Sequence, residues 1–279
     1  MAQARLQMLG LCRFSYPTAQ DGFSRTGKTL SEQRAILYDP ARMALRLFYF
    51  EHVMLPGIRA QDDPDFTLLL LMGDQLPGDV RARVLELIAD IPQIRPVFAP
   101  EGQAHRKVCS AVMQDARDAS AAAVAEFILD DDDGVAIDFV SRTRVLFPRM
   151  RGLMREATKL VLDYNRGILL STVGGTPEFH SISAPYWTPA SCLLMKPDSS
   201  KSIQDFRHTR VWQRVPTVTM PLSVMFLRGA HGDNDSSVSE RPAGAVARPM
   251  EPQVLNDVLT QRFALDIGAL NAAWRRLNA

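Results

Sequence analysis

The chain is short of the features that place a protein in a membrane, on a nucleic acid or in a disulfide scaffold. Its 279 residues hold three cysteines, Cys12, Cys109 and Cys192, far apart and without CxxC spacing. That excludes a disulfide framework and a thiolate zinc site, and it fits a reducing cytoplasm. No long apolar run occurs. Leu68 to Met72, the longest strongly apolar stretch, is far too short to span a bilayer. Met1 to Leu11 has neither a long apolar core nor a small-residue cleavage site, so no signal peptide is expected. Charge of one sign is also missing. The net charge of +1 gives nucleic-acid binding no global electrostatic support. A cytoplasmic protein is expected, with room for peripheral contact at the inner face of a membrane.

What is present is an ordinary globular composition, 46% hydrophobic and 23% charged, enough for one large α/β domain. The first half alternates strands and helices. Strands are read at Leu6 to Phe14, Phe66 to Met72, Ile94 to Phe98 and Glu126 to Leu129. Helices are read at Pro40 to Leu55, ending at Pro56-Gly57, at Asp79 to Asp90 and at His105 to Ala125. That order implies a parallel sheet with covering helices. In the second half, Val135 to Phe147, Leu153 to Tyr164 and Ile203 to Arg214 read as helices. Arg166 to Val173, Ser181 to Tyr186, Ser191 to Lys196 and Ser223 to Leu227 read as strands, with antiparallel pairing expected. His231 to Pro252 reads as a Gly/Pro-rich lid loop, and Val254 to Leu277 as a terminal helical segment. A single domain is expected, with 1–133, 134–230 and 231–279 as its successive parts.

The most informative run is Glu126-Phe127-Ile128-Leu129-Asp130-Asp131-Asp132-Asp133. An apolar strand runs straight into four carboxylates, and open α/β sheets place their ligands at that end of a strand. Four acids at one strand end repel one another unless a hard divalent cation, Mg²⁺ or Mn²⁺, sits among them. A solvated acidic turn is the plain alternative. A second pattern competes. Gly22-Phe23-Ser24-Arg25-Thr26-Gly27-Lys28-Thr29 matches the letters of a phosphate loop. In that motif a strand ends at the first glycine, whereas here the first strand stops about seven residues earlier, before a polar, Pro-containing stretch. A phosphate-loop NTPase or kinase therefore stands as the alternative enzyme class. A non-catalytic nucleotide-sugar-binding protein is the alternative outside enzymes.

Three segments together resemble one family: Arg13-Phe14-Ser15 after the first strand, Leu129-Asp130-Asp131-Asp132-Asp133, and His231-Gly232-Asp233-Asn234-Asp235. The chain resembles, over most of its length, the rhamnosyltransferase family of bacterial polysaccharide synthesis, within the glycosyltransferases of A-type fold. The resemblance implies a Rossmann-like, mostly parallel sheet flanked by helices, with a smaller antiparallel acceptor-side portion. It implies a DxD motif and a metal-dependent transfer of a sugar, rhamnose by the family's name, from a nucleotide-diphosphate donor to a glycan or lipid-linked acceptor. Asp130 and Asp132 map to the metal, with a register one residue later as the other option, and Asp131 maps to the ribose or donor sugar. His231 maps to the last metal ligand, with Asp233 and Asn234 beside it and Arg228 near the diphosphate. Arg13, Ser15, Asp74, Arg106 and Lys107 are candidates for the nucleotide and its phosphates. Asp205, in Ile203-Gln204-Asp205, maps to the general base, although Gln204 stands where the family pattern has Glu. Tyr186 and Trp187 are candidates for stacking on the acceptor sugar. Arg149 to Arg166 carries four Arg and one Lys against Glu156 and Asp163. It reads as a solvated helix face, or as one turned to anionic lipid or a charged acceptor.

Overall fold

The computed structural model describes residues 5–19, 29–232 and 245–279. Its centre is a block of four parallel strands. β1 (Leu6–Arg13) lies between β2 (Phe66–Gly73) and β4 (Ala123–Ile128), and β3 (Ile94–Ala99) pairs with β2. β1 and β2 are buried on both faces, which is why they read as continuous apolar runs. Alternate residues feed two cores. Leu6, Met8 and Cys12 with Leu68, Leu70 and Met72 enter one, and Leu9 and Leu11 with Leu69 and Leu71 enter the other. The chain winds outward through β1, β2 and β3, then crosses back to place β4 on the other side of β1. That reversal opens a crevice at the carboxyl ends of β1 and β4, where open α/β sheets take their ligands.

Beyond β4 the sheet continues in mixed sense. β8 (Ser191–Met195) is antiparallel to β4, and β6 (Lys159–Ser171) is antiparallel to β8 and to β7 (Glu178–Ser183). β9 (Thr217–Ala230) runs parallel to β6 and carries the short β5 (Asp133–Val135) antiparallel to its end. β10 (Val246–Ala247) pairs with β7. One sheet therefore runs through both halves of the chain. The expected α/β architecture, a parallel block continued by antiparallel strands, is present.

The helices of the first half are α1 (Leu30–Leu37), α2 (Pro40–Tyr49), α3 (Leu55–Arg59), α4 (Gly78–Ile88) and α5 (His105–Asp115). Thr29 caps α1 in a reciprocal box with Glu32, and the Asp39 carboxylate caps α2. α2 passes through a π turn, Phe50–Met54, into α3, so the helical course extends beyond the expected stop at Pro56-Gly57. Pro56 falls in the first turn of α3, where the missing N–H costs little. Gly57 lets the helix touch β5, since a Cβ there would lie 2.2 Å from the Val135 carbonyl oxygen. The contact is reciprocal: a Cβ on Gly134 would lie 2.9 Å from the Val53 carbonyl oxygen. This approach seats the acidic run against α2 and α3.

Several expected boundaries move. The preceding helix ends at Asp115, and Ala123 and Ala125 belong to the start of β4, where their small side chains are fully buried inside the sheet. The two helices expected at 135–147 and 153–164 are one, α6 (Phe139–Ala157), with Pro148 inside it. Residues 159–164 instead begin β6, and Thr158 turns the chain at φ 63°. The helix expected from Ile203 to Arg214 is two short 3₁₀ segments, Ile203–Asp205 and His208–Gln213. The terminal segment divides into α7 (Pro252–Phe263) and α8 (Ile267–Leu277), separated by Ala264 at φ 54°. Much of the expected lid, residues 233–244, lies outside the described residues.

Candidate active site

The acidic run leaves β4 at the crevice and turns at once. The Asp133 amide donates to the Asp130 carbonyl oxygen at 3.0 Å, and β5 then pairs with β9 so that Asp133 faces Arg228. The turn aims Asp130, Asp132 and Asp133 together. One carboxylate oxygen from each lies within 4.8 Å of the others, with Asp130 half-buried and the other two buried. Asp131 points elsewhere, so the cluster joins Asp130 and Asp132 of the expected register with Asp133 of the other. Gly229 closes over the run: its amide donates to the Asp132 carbonyl and to Asp133 Oδ1, each at 3.1 Å. A Cβ there would lie 2.5 Å from the Asp132 oxygen.

α2 supplies the positive charge. Arg46 Nη1 donates to Asp131 Oδ1 at 3.0 Å and to Asp132 Oδ2 at 2.8 Å, with all three side chains nearly buried. His231 Nε2 lies 2.9 Å from Asp132 Oδ2. The His231 ring packs on Tyr49 at 4.7 Å between centroids, and the Tyr49 hydroxyl is 2.8 Å from that of Thr172. Arg46 does not keep Asp131 and Asp133 in the ordinary carboxylate range. Burial and the Asp132 charge push Asp131 up to about 7 against the pull of Arg46. Burial and Asp132 push Asp133 well above the usual range. Burial acts on Asp132 too, but Arg46 and His231 outweigh it and hold that carboxyl below its ordinary value. Oδ2 of Asp131 and of Asp133 are buried without a hydrogen-bond partner. Oxygen-only donors, one of them the buried and orphaned Asp133 Oδ2, fit a hard divalent cation. Held there, the cation would have Asp130, Asp132 and Asp133 as ligands. His231 is bonded to one of those ligands, the position of a residue that orients a carboxylate.

The remaining candidates fall into three groups. Arg13 ends β1 at the same crevice, half-buried. Ser15, buried at φ 45°, accepts a hydrogen bond from Arg42 Nη1 at 3.0 Å. Asp74 is exposed at the end of β2. Near it, Glu101 is gripped by Arg34 Nε and the Tyr38 hydroxyl, both at 2.5 Å, and by the Gln75 amide at 3.2 Å. A second group surrounds a cleft of about 250 Å³ beside β4, lined by Arg106, Ile128, Thr188, Gln204, Phe206 and His208 among others. Lys107 is exposed on α5 next to it. The third group shows why two expectations need correction. Trp187 is 7% exposed; its ring packs on Phe226, and the Arg228 guanidinium lies over it at 4.8 Å from the centroid. It is a core residue rather than an open sugar platform, while Tyr186, half-buried at φ 60°, is the more accessible ring. Asp205 does not open a helix. Its carboxylate closes a capping box on a single 3₁₀ turn, accepting from the Ser202 amide at 2.8 Å.

Sequence reasoning missed Arg42, Arg46 and Tyr49, and it did not single out Thr172. The three α2 residues are spaced i, i+4 and i+7 on a helix otherwise read for its apolar stripe. Buried arginines on that stripe were the available signal. The Gly22–Lys28 part of the phosphate-loop pattern and Asp233, Asn234 and Asp235 lie outside the described residues. Thr29, the last residue of that pattern, is the α1 cap. The three cysteines are buried free thiols. Among the described residues no helix is long and apolar enough to cross a membrane.

Fold and site together define a cluster of three carboxylates at the carboxyl end of an inner strand that could hold a metal ion. The chain belongs to the family described as "Putative rhamnosyl transferase", whose model matches residues 7–242, and so falls among the glycosyltransferases. Similar solved structures include S. aureus TarS 1-349, at 8% identity and TM-score 0.40, covering 80% of this chain and 60% of that chain. The same protein in complex with UDP-GlcNAc aligns at 9% identity and TM-score 0.46, covering 98% and 71%. Mouse xyloside xylosyltransferase 1, apo form, aligns at 11% identity and TM-score 0.32, covering 75% and 74%. The chain thus spans about 60% of TarS 1-349 in the first of these alignments. No curated protein matches the chain.

Proposed function

We propose that the protein moves a sugar, rhamnose by its family, from a nucleoside-diphosphate donor to a glycan or lipid-linked acceptor, with Mg²⁺ or Mn²⁺ bound by Asp130, Asp132 and Asp133. The observation that carries the proposal is the convergence of those three carboxylates at the carboxyl end of β4, with ligand oxygens within 4.8 Å of one another. A bound cation would neutralise charge on the leaving diphosphate. The protein's own groups do the rest. Arg46 and His231 fix the Asp132 carboxylate and Gly229 fixes the turn, so the cluster pays little reorganisation when a ligand arrives. Arg13 and Ser15 at the end of β1, with Asp74 at the end of β2, are suited to the nucleotide. Arg106 and Lys107 at the start of α5 are suited to its phosphates.

The cleft beside Ile128 suits a hexose, and Tyr186, whose carbonyl oxygen lies 2.8 Å from Nδ1 of the lining residue His208, suits the acceptor. Asp205 remains the proposed base. To take the acceptor proton its carboxylate must release the Ser202 amide it now holds.

The test is calorimetric titration of Mn²⁺ and of nucleoside diphosphates into the full chain, followed by a transfer assay with dTDP-, UDP- and GDP-sugars. Cation-dependent diphosphate binding is expected, and Asp132→Asn should lower transfer on the order of 10²–10³-fold. Transfer at the parental rate in Asp132→Asn, or in chelator, would remove the metal role. ATP binding lost in Lys28→Ala would favour the phosphate-loop alternative.

A further inference from the structure

We propose that a bulge on β9, with the arginines around it, docks the protein on an anionic phospholipid bilayer. In the β6–β9 pairing Tyr164 faces Met220, but the next pair is Arg166 with Val224. One residue of β6 is thus opposed by three of β9, Pro221 to Ser223, and the excess is pushed out of the ladder. Leu222 at the tip is 80% exposed. On one side a groove of about 210 Å³ separates it from α6 and is lined by Val145, Arg142 and Arg149. On the other side lies a wider groove with Arg166, Pro221 and Arg248. Val145 is 64% exposed, and Leu153, two turns further along the same stripe of α6, is 49% exposed.

Charge decides the occupant. Arg142 is paired with Asp138. Arg149, Arg166 and Arg248 have no acidic partner among the described residues, and neither do Arg151 and Arg155 on α6. Of the acids in this region, Asp138 is shared by Arg142 and Arg262, Asp62 accepts from Ser141, Asp63 and Asp65 are held by Arg144, Asp163 is buried, Glu156 is the one acid of α6, and Glu251, exposed three residues after Arg248, makes no ion pair with it. An exposed leucine between unpaired guanidinium groups matches a surface with phosphates outside and acyl chains beneath. A soluble acidic polymer would satisfy the arginines and leave Leu222 in water. The inference does not depend on sugar transfer and is tested without a donor.

The experiment is co-flotation of the full chain with vesicles of phosphatidylcholine alone and with roughly one third phosphatidylglycerol. Partition at least tenfold stronger on the anionic vesicles is expected. Leu222→Ser should weaken it about tenfold. Arg149→Ala combined with Arg248→Ala should weaken it about twenty-five-fold. All three positions are exposed, so folding is not at stake, and circular dichroism checks it. Equal partition on both vesicles, or none, overturns the proposal. So does a loss with the arginine pair but not with Leu222→Ser, accompanied by competition from inorganic polyphosphate, which would mark a polyanion groove.

Discussion

Removing Arg117 should cost more stability than any surface change, and the structure says why. Its side chain is 4% exposed, and that of its partner Glu126, in the middle of the sheet, is fully buried. Arg117 Nε and Nη2 both donate to Glu126 Oε1, at 2.8 and 2.7 Å. The same guanidinium donates to the carbonyls of Ser199 and Lys201 at 2.6 Å, and to that of Pro197 at 3.3 Å. Glu126 Oε2 accepts from the Ile203 amide at 2.8 Å. The pair thus ties the 197–203 segment to β4, and that segment leads into the turn bearing Gln204 and Asp205. Arg117→Met leaves a buried carboxylate with one amide donor. Breaking a buried pair in this way costs about 3–5 kcal/mol, a large share of the ~5–15 kcal/mol that holds a domain. Glu126→Leu alone strands the guanidinium and should cost a similar amount. The double variant removes both charges and should recover part of the loss, so the two single effects must not add. Urea unfolding with a constant m-value is the assay. A single-variant cost below about 1 kcal/mol, or additivity within about 0.5 kcal/mol, would refute the reasoning. Transfer kinetics supply a second reading: if the segment positions the sugar cleft, Arg117→Met raises KM at temperatures where it is fully folded.

Asp163 should make stability depend on pH. Burial raises its carboxyl to about 7, only partly opposed by the Tyr186 amide and the Thr219 hydroxyl. Below the unfolded-state value of about 4 both states are protonated and the residue has no effect. Between about pH 4 and pH 7 only the folded state keeps the proton, so stability falls as pH rises, by on the order of 4 kcal/mol, and is flat above. Asp163→Asn should abolish that fall, and parallel pH curves for the two proteins would contradict it. Asp205→Asn keeps an oxygen for the Ser202 amide while removing the base. A kcat loss of at least about 10²-fold at unchanged stability is expected if Asp205 takes the acceptor proton, and an unchanged kcat would leave it as a cap alone. Arg46→Met should destabilise the metal-free protein by about 3 kcal/mol or more. Saturating Mn²⁺ should restore much of that in a thermal melt, because a ligand of the folded state stabilises by mass action; a deficit independent of Mn²⁺ would show that the cation does not replace the guanidinium's charge.

The parallel half was legible because its signals are local. β1 and β2 are apolar on both faces, and strand–helix alternation leaves a parallel sheet as the economical arrangement. The acidic run could be placed at a strand end from the four letters before it. The second half was harder to read because pairing partners, and not propensity, decided its elements. Residues 159–164 carry an amphipathic pattern that suits a helix, yet between β8 and β9 they form the inner part of the longest strand but one. The alanines before Glu126 are good helix formers, and their smallness is what the interior of the sheet required. Asp205, which the family resemblance maps to a base, also closes a cap with Ser202 three residues earlier, a bond between neighbours that the family pattern does not record.

Neighbouring residues alone specify the parallel α/β core, the place of the acidic run at the end of the fourth strand, and the family. Periodicity and a contiguous motif are properties of neighbouring residues, and they survive without a third dimension. Which carboxylates converge is set by the packing of distant segments. The turn after Asp130 and its pairing through β5 to β9 set Asp133 beside Asp130 and Asp132, and sent Asp131 to Arg46. Only the tertiary structure brought Arg46 and His231 to one carboxylate from positions 185 residues apart in the chain. The reason is electrostatic and steric together. A buried carboxylate is tolerable only where a cation is delivered to it, and which cation arrives depends on how helices and strands pack. No stretch of neighbouring residues records that.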